Sequence, residues 1–343
     1  MAVSAPLPNP LRKLDNWTSG RSASASRRAL RALLATVVNS LIVAAFVVVV
    51  TFFLTRYLLG NPAYQYAMMQ NGGQLPRPAA VAAARVQLGL NSPILVQFWH
   101  YVTGLLHGSL GSSFQPGRLP VATLVWSGFS TTLVLSGLTV VVSTVLGVPL
   151  GLWLAIVRSR FLDGLVRIFA MAGIASPAAL VGLVLIWFSS STGNVLPAGG
   201  WGSGYPANFR YLALPVITLS IGFVPIILRV VRERASAILA AEHIDAARSR
   251  GIPPLSLVLG HVLPECMVPL LRFIALNTAW LLSGAVVVEV VFGIPGIGRV
   301  LLAAVNADDY PTIQGCAMLM GFVVVICFAV AEIAGELIDP RTR

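Results

Sequence analysis

The chain has 343 residues, of which 57% are hydrophobic and 10% charged, and its mean hydropathy is +0.84. A soluble domain carries about a quarter charged residues, so this composition excludes one and places the chain in a membrane. Lysine and arginine number 23 against 12 acidic residues, giving a net charge of +11, and only Lys13 is a lysine; no basic strip interleaved with aromatics is present, so no nucleic-acid partner is expected.

In chain order, residues 1–27, rich in Pro, Ser, Ala and Arg, read as a flexible tail. The apolar run after it is too long for a removable signal peptide and has no small-residue cleavage site. A membrane-spanning helix needs about 20 mainly apolar residues, and six runs qualify: Leu30 to Leu59, Phe129 to Val157, Leu165 to Ser190, Tyr211 to Val231, Pro269 to Phe292 and Ile313 to Ile338. Pro149 and Pro177 fall inside such runs, where membrane helices tolerate proline. Between the first two runs, "AAVAAARVQLGL" and "ILVQFWHYVTGLL" read as short helices on the membrane surface. The expected organisation is a tail (1–27), a first membrane helix (28–60), an extracytoplasmic segment (61–120) and a five-helix core (121–343) that includes a loop at 232–268.

Six spans put both ends on one side, and basic loops choose the side. Sixteen Lys and Arg fall on the side of the termini and six on the other, with Arg272 near the start of span five. Both termini are therefore expected in the cytoplasm, as is the loop at 232–268. Arg232 to Arg250 lacks Pro and Gly and predicts one continuous helix, with Asp245 and Arg248 paired at i, i+3. Gly251 suits the left-handed stop, and Pro253 and Pro254 bar continuation, so a second helix is expected near Leu255. The result is a helix, a sharp corner and a second helix.

The chemistry for a motor is missing. A phosphate-binding G-x-x-x-x-G-K-[ST] loop needs a lysine, and the only one lies in "PNPLRKLDN". The four histidines lie outside the spans, so no Ser/His pair forms within them, and Cys266, Cys316 and Cys327 have no metal-ligand spacing. Ionisable groups inside spans are functional candidates. Glu289 either holds the following loop as a hydrogen-bond acceptor or contacts a substrate. Asn277, Trp280 and Ser283, spaced i, i+3, i+6, either face a path or pack in the core.

Asp245-Ala246-Ala247, then Gly251, then Leu263-Pro264 resembles the Glu-Ala-Ala loop of ABC-importer permeases, with Asp245 in place of Glu and His261 in place of Ile. "LGLNSP" (Leu88 to Pro93), "GSLGSSF" (Gly108 to Phe114), "TTLVLS" and "EVVFGIPGIGRVLLAAVNADDYPTIQG" (Glu289 to Gly315) resemble the B-type permeases of dipeptide and oligopeptide importers. That family usually has Tyr where His243 stands, Arg where Asp245 stands, and Arg-Asn where Pro264 and Glu265 stand. The resemblance implies an all-α membrane protein of six transmembrane helices with the type I importer permease fold, in a bacterial inner membrane. Asp245, Ala246, Ala247, Arg248, Gly251, Leu263 and Pro264 would form the coupling element, with Ala246 and Ala247 making a flat surface for close approach. A homologous second permease, two cytoplasmic ATPase subunits carrying ATP and Mg, an extracytoplasmic substrate-binding protein and membrane lipid would be the partners, with no cofactor or metal in this chain. The open alternatives are an ion-gradient-driven secondary transporter, a receptor or scaffold, and an importer permease for haem or a nickel chelate.

Overall fold

A computed structural model describes residues 34, 37–53, 56, 61–115, 117–157, 159–193, 196–202, 204 and 207–338. The expected tail, both ends of the first expected span and the closing 339–343 lie outside the described residues. Among the described residues the fold is helical, and its only β feature is an isolated bridge between Ser112 and Pro120.

Helix α1 (Val37–Phe53) is apolar and leads to a compact group made of α2 (Pro62–Gln70), α3 (Pro78–Gln87) and α4 (Ile94–Leu106). Phe52 of α1 packs edge-on against Phe98 of α4, 5.2 Å between ring centres. Tyr66 of α2 meets Phe114, which in turn meets Tyr310, so the segment before the core is stitched to the start of the last helix.

The core is built on α5 (Val121–Val157) and α8 (Asn208–Leu239). At 37 and 32 residues and about 1.5 Å of rise each, both exceed the ~30 Å hydrocarbon layer. The buried stripe of α5 is small and polar: Gly128, Thr132, Thr139, Ser143, Gly147 and Gly151. Small residues at four-residue spacing let two membrane helices approach closely. A Cβ at Gly147 would lie 3.2 Å from the Val224 carbonyl, and one at Gly151 would lie 2.8 Å from the Leu228 carbonyl. Both contacts step by about one turn in the same direction, so α5 and α8 run parallel.

Helix α6 (Arg160–Ala175) runs antiparallel to α8, since Asp163 pairs with Arg232 while Gly173 lies under Ile221. The expected third span, Leu165 to Ser190, is not one helix. Ser176 is extended (φ −77, ψ 122), Pro177 offers no N–H, and α7 (Ala178–Ser191) leaves at 97° to α6.

Past α8 come α9 (Glu242–Ser249), α10 (Pro254–Leu257), a π-helical turn (Val258–Val262), α11 (Leu263–Leu276), α12 (Thr278–Phe292), α13 (Ile297–Asn306) and α14 (Tyr310–Ile338). The continuous helix expected over Arg232 to Arg250 is broken at Ala240 and Ala241, the latter extended at φ −83, ψ 144. Helix propensity is a weak preference. It yields here to the burial of Ile244 and Ala247 against Leu239, Leu257 and Val262. The expected fifth span, Pro269 to Phe292, is divided at Asn277 (φ −92, ψ 2). Asn277 Nδ2 donates to the Phe273 carbonyl and Thr278 Oγ1 to the Ile274 carbonyl, side chains competing for helical acceptors. The membrane-length helix is instead Pro254–Leu276, and α12 turns by 75° into α13.

Among the described residues four helices are long and apolar enough to cross a membrane, and the two bent pairs, α6 with α7 and α12 with α13, bring the number to as many as six. Leu135, Leu219, Phe223, Ile227, Val288 and Phe292 fill the centre. Outward-facing Val145, Leu183, Trp187 and Ile326 are more than half exposed, as a lipid- or partner-facing surface requires.

Candidate coupling corner and membrane path

The corner lies at the far ends of α5 and α8, where Ala155, Ile156, Leu239, Arg248 and Leu257 enclose a cavity of about 370 Å³. Helix α9 turns Ile244 and Ala247 inward and leaves Glu242, Asp245, Ala246 and Ser249 exposed, an i, i+3, i+4, i+7 stripe. Ala247 therefore packs on its own chain and is not part of an outer flat surface; Ala246 is the exposed alanine. Arg248 Nη1 and Asp245 Oδ1 pair at 3.0 Å, the expected i, i+3 contact. Both side chains are at least half exposed, so the pair contributes at most about 1 kcal/mol.

Gly251 adopts φ +78. Its N–H donates to Arg248 O at 2.9 Å and that of Ile252 to Ala247 O at 3.4 Å, the paired bonds that close a helix through a left-handed residue. Pro253 (φ −58, ψ 144) carries the chain out, and Pro254 opens α10 near the expected position. The next contact ties α9 to α11: His243 Nε2 lies 3.7 Å from Glu265 Oε1. Two of the residues that depart from the usual family pattern are thus neighbours in space. Leu263 begins α11 partly buried, and Pro264 is exposed.

Asn277 borders a cavity of about 730 Å³ between α6, α8 and α11, together with Asp163, Arg167, Arg229, Arg232 and Phe273. Asp163 pairs with Arg232, and Arg229 with Glu233 at 2.9 Å. Trp280 stacks on Phe223 with ring centres 6.1 Å apart, leaving 42% of its surface exposed. Ser283 is exposed, and its hydroxyl donates to the Ala279 carbonyl. Of the three, Asn277 lines that cavity and Trp280 and Ser283 do not.

Glu289 is fully enclosed. Its Oε1 accepts from Thr132 Oγ1 at 2.6 Å and its Oε2 from the Gly298 N–H at 2.8 Å, while Thr132 Oγ1 accepts from the Ile297 N–H at 2.9 Å. The carboxylate sits at the first turn of α13, where backbone N–H groups and the helix dipole favour an anion. A Cβ on Gly296 would run into that carboxylate, and one on Gly298 would strike Val286. The "GIPGIG" glycines allow the loop to wrap Glu289.

A second buried carboxylate was not singled out from sequence. Asp309 accepts from Ser113 Oγ (2.5 Å), the Phe114 N–H (2.9 Å) and Thr312 Oγ1 (2.6 Å), fastening the segment before α5 to the start of α14. Its sequence signal is an Asp directly before a Tyr-Pro helix start.

Several membrane-length helices with an exposed helical corner fit a membrane transport subunit, and similarity to known proteins shows that class and its family. Residues 147–343 match the family described as binding-protein-dependent transport system inner membrane component, and residues 29–141 match that system's N-terminal membrane component. The chain is 33% identical to a probable peptide ABC transporter permease protein of Sinorhizobium fredii, over 91% of this chain and 98% of that one. It is 33% identical to a probable D,D-dipeptide transport system permease protein of Escherichia coli, covering 88% and 94%. It is 32% identical to a nickel import system permease protein of Staphylococcus aureus, covering 88% and 89%. A structural match to the inward-facing MetNI methionine ABC transporter has a TM-score of 0.48 at 21% identity, covering 64% of this chain and 96% of that one. The chain belongs to the inner membrane components of binding-protein-dependent transport systems, the permeases of ABC importers. It is a multi-pass membrane transport component that works with ATPase and binding-protein partners, and not an enzyme. The ion-gradient-driven, receptor and scaffold alternatives fall with this membership.

Proposed function

We propose that this permease carries short peptides, forming half of a translocation path beside a homologous second permease. Two ATPase subunits would engage the α9 corner from the cytoplasm, and a substrate-binding protein would deliver the peptide from outside. The observation that carries the coupling role is the exposed stripe on α9, held at a fixed angle by the left-handed Gly251 and by burial of Ile244 and Ala247. Asp245, Ala246 and Arg248 offer the contact face, while Gly251, Leu263 and Pro264 set its angle. Sixteen basic residues on the side of the corner and the termini against six on the other support a cytoplasmic corner. Asn277, Trp280 and Ser283 are the proposed path residues; Glu289 is assigned to holding the loop before α13.

Peptide is favoured because two of the three relatives are named for peptide or dipeptide transport. A nickel chelate is the second reading, favoured by the nickel import relative. The test is uptake into proteoliposomes holding the permease with its partner subunits and binding protein. Labelled di- to tetrapeptide should accumulate with ATP, with unlabelled peptide competing; accumulation of nickel alone, without peptide, would replace peptide by the second reading.

A further inference from the structure

At the end of the molecule away from α9, a cavity of about 240 Å³ lies between the end of α1, the start of α14 and the loop before α5. Two guanidiniums line it, Arg56 and Arg118. No ion pair engages either among the described residues. Arg56 lies over the Phe52 ring at 5.5 Å, and Arg118 lies over the Tyr66 ring at 5.2 Å while donating to the Tyr66 hydroxyl. Asp309, next in the chain to Tyr310 of the cavity wall, has both carboxylate oxygens filled by Ser113, Phe114 and Thr312. It is therefore already engaged elsewhere.

The remaining wall is also rich in donors. Gln314 also lines the cavity, with its Nε2 buried beside Tyr101. Arg118 is also one of two non-glycine residues at positive φ (+45) among the described residues, a strain found where side chains are held for a ligand.

Two features select the carrier of that oxyanion. The volume is below the ~300 Å³ at which small-molecule sites begin, so a phosphate group fits and a peptide does not. The flanks are apolar and outward-facing: Phe46 of α1 is 65% exposed, and Leu95 and Trp99 of α4 are 74% and 65% exposed. Arginine forks match phosphate geometry, and phospholipid headgroups present that phosphate at the membrane surface. We infer that the Arg56–Arg118 cavity binds the phosphate of a membrane phospholipid whose acyl chains lie along α1 and α4. Such a lipid ties the segment before the core to α14, and the site stands whatever substrate the permease carries.

The test uses the complete transporter, purified in detergent, stripped of loose lipid and examined by native mass spectrometry. Wild type should retain a phospholipid. The Arg56→Gln, Arg118→Gln double variant should lose occupancy by about tenfold, while Arg85→Gln on exposed α3 keeps it. Arg56→Lys with Arg118→Lys keeps both charges but loses the planar forks, so its reduced retention at an unchanged lipid-free melting temperature reads binding and not folding. Equal retention by wild type and the Arg56→Gln, Arg118→Gln double variant overturns the site. If inorganic phosphate raises the melting temperature of the lipid-stripped wild type but not of the double variant, and no lipid is retained, the lipid assignment is overturned in favour of free phosphate.

Discussion

Glu289 shows what one residue does when a charge is enclosed in an apolar core. Both of its oxygens are used within the chain, by Thr132 on α5 and by the Gly298 N–H of α13. Glu289→Ala would leave the buried Gly298 N–H unpaired and the Thr132 hydroxyl donating only its longer bond to the Gly128 carbonyl, a loss on the order of 1–3 kcal/mol. The purified transporter should melt at a clearly lower temperature, and transport should fall in step with the folded fraction. Lost transport at an unchanged melting temperature would make Glu289 a substrate contact. The sequence marks Glu289 as an acid inside an apolar run, but its partner Thr132 is 157 residues away, a separation no local pattern bridges. The same distance hides Asp309, whose partners Ser113 and Phe114 lie in another segment.

At the scale of elements, periodicity and stop signals identify helices well where local chemistry dominates. The turn at Gly251, the start of α10 and two of the three short helices before the core, α3 and α4, follow from glycine, proline and apolar spacing, whereas α2 is not among the expected helices. Breaks at Ala240–Ala241 and at Asn277 do not, because packing of Ile244 and Ala247 and the side-chain hydrogen bonds of Asn277 and Thr278 decide them. Pro177 is visible in sequence, yet the 97° turn it starts depends on how α7 meets α12 and α8. The proposed orientation puts α9 and α13 on opposite sides of the membrane. In a background without Cys266, Cys316 and Cys327, a cysteine at exposed Asn306 should react with an impermeant thiol reagent applied to intact cells, and one at exposed Ser249 should not. Labelling of Ser249→Cys, with Asn306→Cys silent, inverts the orientation.

For the whole molecule, composition and charge place the chain in a membrane and motif order points to its family, because both are written in residue type and spacing. The substrate is not legible in the same way: of the proposed path residues Asn277, Trp280 and Ser283, only Asn277 lines the cavity between α6, α8 and α11, and relatives of nearly equal identity carry different names. The proposed coupling has ATP closure transmitted through a corner of fixed angle. Gly251 isolates that claim, since a Cβ there meets no atom within 4 Å and only the backbone conformation is at stake. Valine is strained at positive φ by about 1–3 kcal/mol, whereas asparagine enters that region readily. The decisive measurement is ATP-driven uptake alongside stimulated ATPase activity in the reconstituted transporter for wild type, Gly251→Val and Gly251→Asn. The account predicts that Gly251→Val assembles but loses both activities together, by about tenfold or more, while Gly251→Asn retains most of each; wild-type uptake by Gly251→Val would contradict it.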